Sequence, residues 1–120
     1  MSTLNVSNIT DGTTTVGTSY VVNGSAKAWV NSTGAAVIND AFNVSSATDN
    51  GTGDYTINLS SSMINSVFAA KASTWQSASI TGTGQNMRTP TTSSQQINCV
   101  ENEVPTDPMS LLMSIHGDLA

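Results

Sequence analysis

Asp49 and Asp54, with Asn50 and Gly51 between them, are the closest approach to a reactive constellation in this chain. Two positioned carboxylates are what polysaccharide hydrolysis uses, and clustered oxygen ligands are what Ca²⁺ binds. The spacing lacks the further ligands and closing Glu of an EF-hand loop, and Asp and Asn in a Gly-rich turn bond nearby backbone amides instead. The segment therefore reads as a plain turn. His116 is the only histidine and Cys99 the only thiol, and no motif sets a nucleophile beside a base. A lone Cys at an inward strand position behaves as a small hydrophobe and cannot form an intrachain disulfide. No catalytic residue, metal-ligand set or cofactor motif emerges, and the chain reads as a non-enzyme. Trp75 beside Gln76 and Ser77 is a different kind of candidate. Carbohydrate sites join an aromatic platform to neutral hydrogen-bonding groups, so Trp75 is a glycan-contact candidate, with a core position as the competing assignment.

The element best able to position such residues is the stretch from Phe42 to Leu59. Phe42, Val44 and Ser46 alternate with Asn43 and Ser45, and beyond the turn Tyr55, Ile57 and Leu59 alternate with Asp54, Thr56 and Asn58. Alternation at every second residue places apolar groups on one face of a strand. Asn50-Gly51 supplies the positive φ that a tight reversal needs. The segment reads as a β-hairpin whose apolar face must be covered by a second layer.

Further strands follow the same rule. In residues 26–31, Ala26, Ala28 and Val30 oppose Lys27, Trp29 and Asn31. Either Trp29 enters the core with Lys27 reaching out past the edge, or Trp29 meets another chain. The core placement is preferred because a Trp is more often packed, with a subunit contact as the alternative. Residues 66–75 fit a strand or one short helix by periodicity, and flanking β signals favour a strand with Phe68, Ala70 and Ala72 inward; 77–80 reads as another, and 95–101 as a third with Ile97 and Cys99 on one side. Met109, Leu111, Met113 and Ile115 share a face of a closing strand. Residues 81–94 hold no apolar pattern and read as a long exposed loop. Six to eight short strands with Gly, Asn and Ser turns and no convincing helix predict an all-β fold, an antiparallel β-sandwich or jelly-roll-like domain over residues 25–120.

Residues 1–24 read differently. Leu4, Val6, Ile9 and Val16 are separated by turn formers such as Asp11-Gly12, too sparsely to hold a core. The segment is expected to be an extended N-terminal arm, either a disordered end or a docking element. Leu4 and Val6 form its first short strand.

Composition narrows the function classes. Only 9% of the residues are charged and the net charge is −5, which opposes nucleic-acid binding, since phosphate contacts need clustered Lys and Arg. No apolar run approaches the ~18 residues needed to cross a membrane, and the N-terminus lacks the basic-then-apolar order of a secretory signal, so no membrane insertion is expected. The 120 residues suit one domain. A chain this poor in charge and cysteine gains stability from packing, and subunit contacts would add to it.

At Ala26-Lys27-Ala28-Trp29-Val30-Asn31, and at Phe42 to Ser46 followed by Thr48 to Asn58, the chain resembles a domain of structural proteins from tailed bacteriophages, especially marine and cyanobacterial phages. The opening MSTLNVSNITDGT and the closing DPMSLLMSIHGD are similar to the ends of those proteins. The family has an aromatic two residues after the Val of AKAWV, where this chain has Ser32. The resemblance implies a virion component, tail-fibre-like or capsid-decorating, that contacts other virion proteins, forms a homo-oligomer with a trimer usual for fibres, and needs no catalysis. A receptor-recognition module for host cell-surface glycan is the alternative function.

Overall fold

The computed structural model describes residues 1–75 and 83–120. The predicted strand at 77–80 and residues 81 and 82 of the predicted loop lie outside them.

The chain forms an antiparallel β-sandwich. One sheet has four strands in the order β4 (Ile38–Phe42), β3 (Ala28–Thr33), β11 (Ser110–His116), β7 (Ala69–Trp75). In the other, β9 (Ser94–Glu101) lies between β8 (Thr83–Thr91) and β6 (Asp54–Leu59), and β6 pairs in turn with β5 (Val44–Gly51). The two-residue β10 (Val104–Pro105) extends this sheet beside the end of β9. No helix among the described residues is long and apolar enough to cross a membrane.

Strict alternation builds the core. Ala28 and Val30 from β3, Leu111, Met113 and Ile115 from β11 and Ala72 from β7 face Tyr55, Ile57 and Leu59 from β6 and Ile97 and Cys99 from β9, and all are buried. The strand expected over residues 66–75 begins only at Ala69; Ala70 on it and Phe68 just before it pack partly against this cluster. Met63, bridged to Leu119, closes one end. Met109 precedes β11 and is exposed.

The preferred core position of Trp29 is overturned: its side chain is 37% exposed on the outside of the four-stranded sheet. Its neighbours Ala28 and Val30 continue the inward set of Leu111 to Ile115, and a one-residue slip would turn Asn31 into the core instead. Small Ala28 inside lets the sheets approach.

The hairpin is also re-drawn. Phe42 ends β4 in one sheet and Val44 begins β5 in the other, with Asn43 at the corner at φ 54°. Asn tolerates this left-handed conformation better than other side-chain-bearing residues. Its side chain holds three segments together: Nδ2 donates to Lys27 O at 3.0 Å and Ser61 O at 3.2 Å, and Oδ1 accepts from Ser61 N at 2.7 Å. A bulge between Val44 and Ser46 then shifts the phase, so Val44 and Ala47 pack on the core while Ser46 turns out. A second irregularity between Asp49 and Gly51 moves the reversal to Thr52-Gly53, two residues beyond Asn50-Gly51. Gly53, at φ 69°, is required there, because a Cβ would collide with the carbonyl oxygen of Cys99.

The predicted loop at 81–94 is corrected as well. From Thr83 onward it is β8, paired with β9 along its length from Thr83↔Glu101 to Thr91↔Ser94. Backbone pairing holds this strand more than apolar alternation does: Met87 alone packs on the core, and Pro90 sits at a bulge where no ladder N–H is needed.

Residues 1–24 form local structure, so the extended arm without a helix is not what is found. Leu4 and Val6 lie outside any strand. A small hairpin joins β1 (Asn8–Thr10) to β2 (Thr15–Gly17), with Asp11 Oδ1 accepting from Thr13 N at 2.9 Å and Thr14 N at 2.7 Å across the turn. A seven-residue helix, α1 (Thr18–Gly24), follows. Such a helix is too short to stand alone in water; Thr18 Oγ1 donates to Val6 O at 3.0 Å, and the Lys27 ammonium bonds Val22 O near its C-terminus, where a cation complements the dipole. The run Tyr20-Val21-Val22 carries strand-forming side chains, which is why the helix is hidden from sequence patterning. The molecule is long in consequence, 49 × 29 × 24 Å with a radius of gyration of 16.8 Å, against about 14 Å for a compact chain of this size.

Candidate functional site

Among the described residues, the sequence candidates Asp49, Asp54 and Cys99 are committed to structure. Cys99 lies inward on β9, and burial, with a smaller contribution from Asp107, raises its thiol from 9.0 to about 11. It is therefore un-ionised at neutral pH. Asp49 Oδ1 accepts from Gly51 N at 2.9 Å and organises the turn, while Asp54 accepts from Gln96 Nε2 at 2.8 Å and ties β6 to β9. His116 ends β11 opposite Ala69. Among the described residues no three His, Cys, Asp or Glu gather as a metal site.

One polar group in the interior has a defined task. Tyr55 is fully buried, and its hydroxyl lies 2.7 Å from Gly34 O and 2.9 Å from Asp107 Oδ1, sharing one proton between two acceptors. Asp107 also accepts from Gly53 N at 2.6 Å. This node pins the 105–108 segment to the start of β6. Burial first, then the neighbouring carboxylate, push the Tyr55 phenol well above its usual range.

Two surfaces remain unused by the fold. The first is the arm: Leu4 is 82% and Tyr20 76% exposed, and Val6, Ile9, Val16, Val21 and Val22 are exposed too. The four side chains predicted to dock thus stand in solvent, Ile9 and Val16 on the hairpin and Leu4 and Val6 on the irregular segment before it, and the hairpin packs chiefly on α1. A groove lined by Val21, Val22, Ile64 and Leu119 separates the helix from the end of the sandwich.

The second is the outer face of the four-stranded sheet, which brings Trp29 and Trp75 to one side. Pairing fixes the rows. Phe42, Trp29, Ser114 and Lys71 lie across the four strands in one row; Asp40, Asn31, Leu112 and Ser73 form the next. Trp75 stands one row further along β7, opposite Ser110, and is 60% exposed. A shallow groove runs over Trp29, Asn31, Leu112, Ser114, Lys71 and Ser73. Gln76 and Ser77, the other members of the glycan candidate, lie outside the described residues.

Phe42, Leu112, Asp40 and Lys71 were not among the residues expected here. Leu112 did carry a signal: in Leu111-Leu112-Met113 it is an apolar residue out of phase with the inward set, and such a residue must lie on the outer face. Phe42 was hidden by the corner at Asn43, which moves it to the other sheet. No family model, curated protein or solved structure matches this chain.

Proposed function

We propose that this chain is a structural protein of a bacteriophage particle that docks through residues 1–24 and presents its β-sandwich outward or across a joint. The observation that supports this most is the arm, which keeps Leu4, Val6, Ile9 and Val16 in solvent while already folded locally. Each large apolar side chain fully buried on docking contributes roughly 1.5–3 kcal/mol. The hairpin and α1 offset part of the ordering cost of ~1–2 kcal/mol per backbone residue, because their backbone is fixed before docking. The resemblance to phage structural proteins at Ala26–Asn31 and Phe42–Asn58 agrees with such a role, as does the scarcity of charge. In this reading the chain assembles with other virion proteins and with its own copies, and no residue turns over substrate.

Deleting residues 2–17 tests the proposal. The truncated chain is expected to keep its β circular-dichroism spectrum and a cooperative melt while failing to enter particles. Normal incorporation of a folded truncated chain overturns it. Host-glycan recognition through Trp75 is the second reading, favoured by both tryptophans standing on one exposed face among neutral Asn and Ser side chains. It needs that face to be free in the assembled protein.

A further inference from the structure

The geometry points to a two-fold homodimer formed by the outer face of the four-stranded sheet packing on the same face of a second copy. The centre of the face is apolar, with Trp29 on β3 and Leu112 on β11, and Phe42 on β4 widens it. Its two formal charges sit on opposite outer strands, Asp40 on β4 and Lys71 on β7. Three strand spacings, about 14 Å, separate those strands, so the two charges do not meet within one chain. A two-fold axis running along the strands between β3 and β11 changes that. It places β7 of the second copy over β4 of the first, with Lys71 one row from Asp40. Sheets stacked about 10 Å apart, with rows about 7 Å apart, leave roughly 12 Å between those Cα atoms. A lysine and an aspartate side chain together span that gap, and the symmetry forms the pair twice.

The same operation fits the apolar centre. Trp29 of one copy lies over Ser114 of the other, and Leu112 over Asn31, so large side chains meet small or flat ones. An isologous contact needs this kind of self-complementarity. A three-fold arrangement, usual for the fibres this chain resembles, cannot use the face this way, because it does not bring the face against itself. The polar outer face of the other sheet lacks such an apolar centre, which makes this face the one suited to a second copy.

The full-length chain is tested by light scattering and sedimentation over a range of concentrations. The expected species has twice the 12.4 kDa chain mass. Lys71→Asp and Asp40→Lys should each weaken the dimer about two- to tenfold in dissociation constant, most at low salt, because each sets like charges against each other twice at the rim, and the double exchange should restore it. Leu112→Glu should give a monomer with an unchanged β spectrum and a cooperative melt that no longer rises with protein concentration. A wild type that stays monomeric, or that forms a trimer, overturns the proposal. So does a dimer indifferent to the charge changes and to Leu112→Glu, or a host glycan bound by wild-type monomer through this face.

Discussion

The outer faces of the two sheets obey the same alternation and present opposite chemistry. On the five-stranded sheet the outward side chains satisfy one another. Asn58 Nδ2 donates to Ser46 Oγ at 3.0 Å and Thr48 Oγ1 at 3.3 Å, Asn50 Nδ2 donates to Thr56 Oγ1 at 2.8 Å, and Arg88 donates to Asn98 Oδ1 at 2.5 Å. On the four-stranded sheet the corresponding positions hold Phe42, Trp29, Leu112 and Trp75, whose aromatic and aliphatic surface gains nothing from solvent. The difference teaches that one face is finished by its own hydrogen bonds while the other leaves apolar side chains in solvent, and on that contrast the proposed dimer rests.

The largest effect should come from breaking the joint between the two sheets. Asn43→Ala removes three side-chain hydrogen bonds and leaves a Cβ residue without Asn's local compensation at φ 54°. A loss of about 2–4 kcal/mol in unfolding free energy is expected, read from urea denaturation. Asn43→Gly, which relieves the backbone but not the bonds, should fall between that variant and the wild type.

The inner faces differ as well, and alkali separates them. The five-stranded sheet contributes the buried titratable groups Tyr55 and Cys99, whereas the inward residues of β3, β7 and β11 carry none. Both groups bind their protons more tightly in the folded state, so their stabilisation is intact below their ordinary ranges and is lost as pH rises. Cys99 alone implies a fall of about 2–3 kcal/mol between pH 9 and about 11, and Tyr55 continues it at higher pH. Cys99→Ala should lower stability at neutral pH by opening a cavity but flatten this alkaline slope, measured by denaturation at fixed steps of pH.

How much of this was legible follows from where periodicity reaches. Strands whose inward set is apolar, such as Tyr55-Ile57-Leu59 and Leu111-Met113-Ile115, declare their faces, and the β-sandwich follows from them. β8 does not, because its inward residues include Gln85 and its ladder is made of backbone groups that every sequence has. The phase changes at Val44/Ser46 and at Asn43 come from a bulge and a left-handed residue, single-residue events that alternation counts straight through. Trp29 and Trp75 were recognisable as special side chains, but their convergence depends on β3 and β7 flanking the same strand, β11, which follows β7 only after β8 to β10 and follows β3 only after the whole of the second sheet. Only the pairing register brings the two together.

The smallest effects sharpen the contrast most directly. Asn58→Ala on the finished face removes two neutral, solvent-exposed side-chain bonds and leaves Ser46 and Thr48 to water, so about 0.5–1.5 kcal/mol of monomer stability should go. Leu112→Ser on the other face removes a side chain that is 40% exposed and outside the core, so at low protein concentration its melt should shift less than that of Asn58→Ala. Raising the concentration reverses the order: a self-associating face adds stability by mass action, which Asn58→Ala keeps and Leu112→Ser forfeits. Melting temperatures of both variants across a hundredfold range of concentration check this. Parallel, concentration-independent curves would mean that the two faces differ in composition alone.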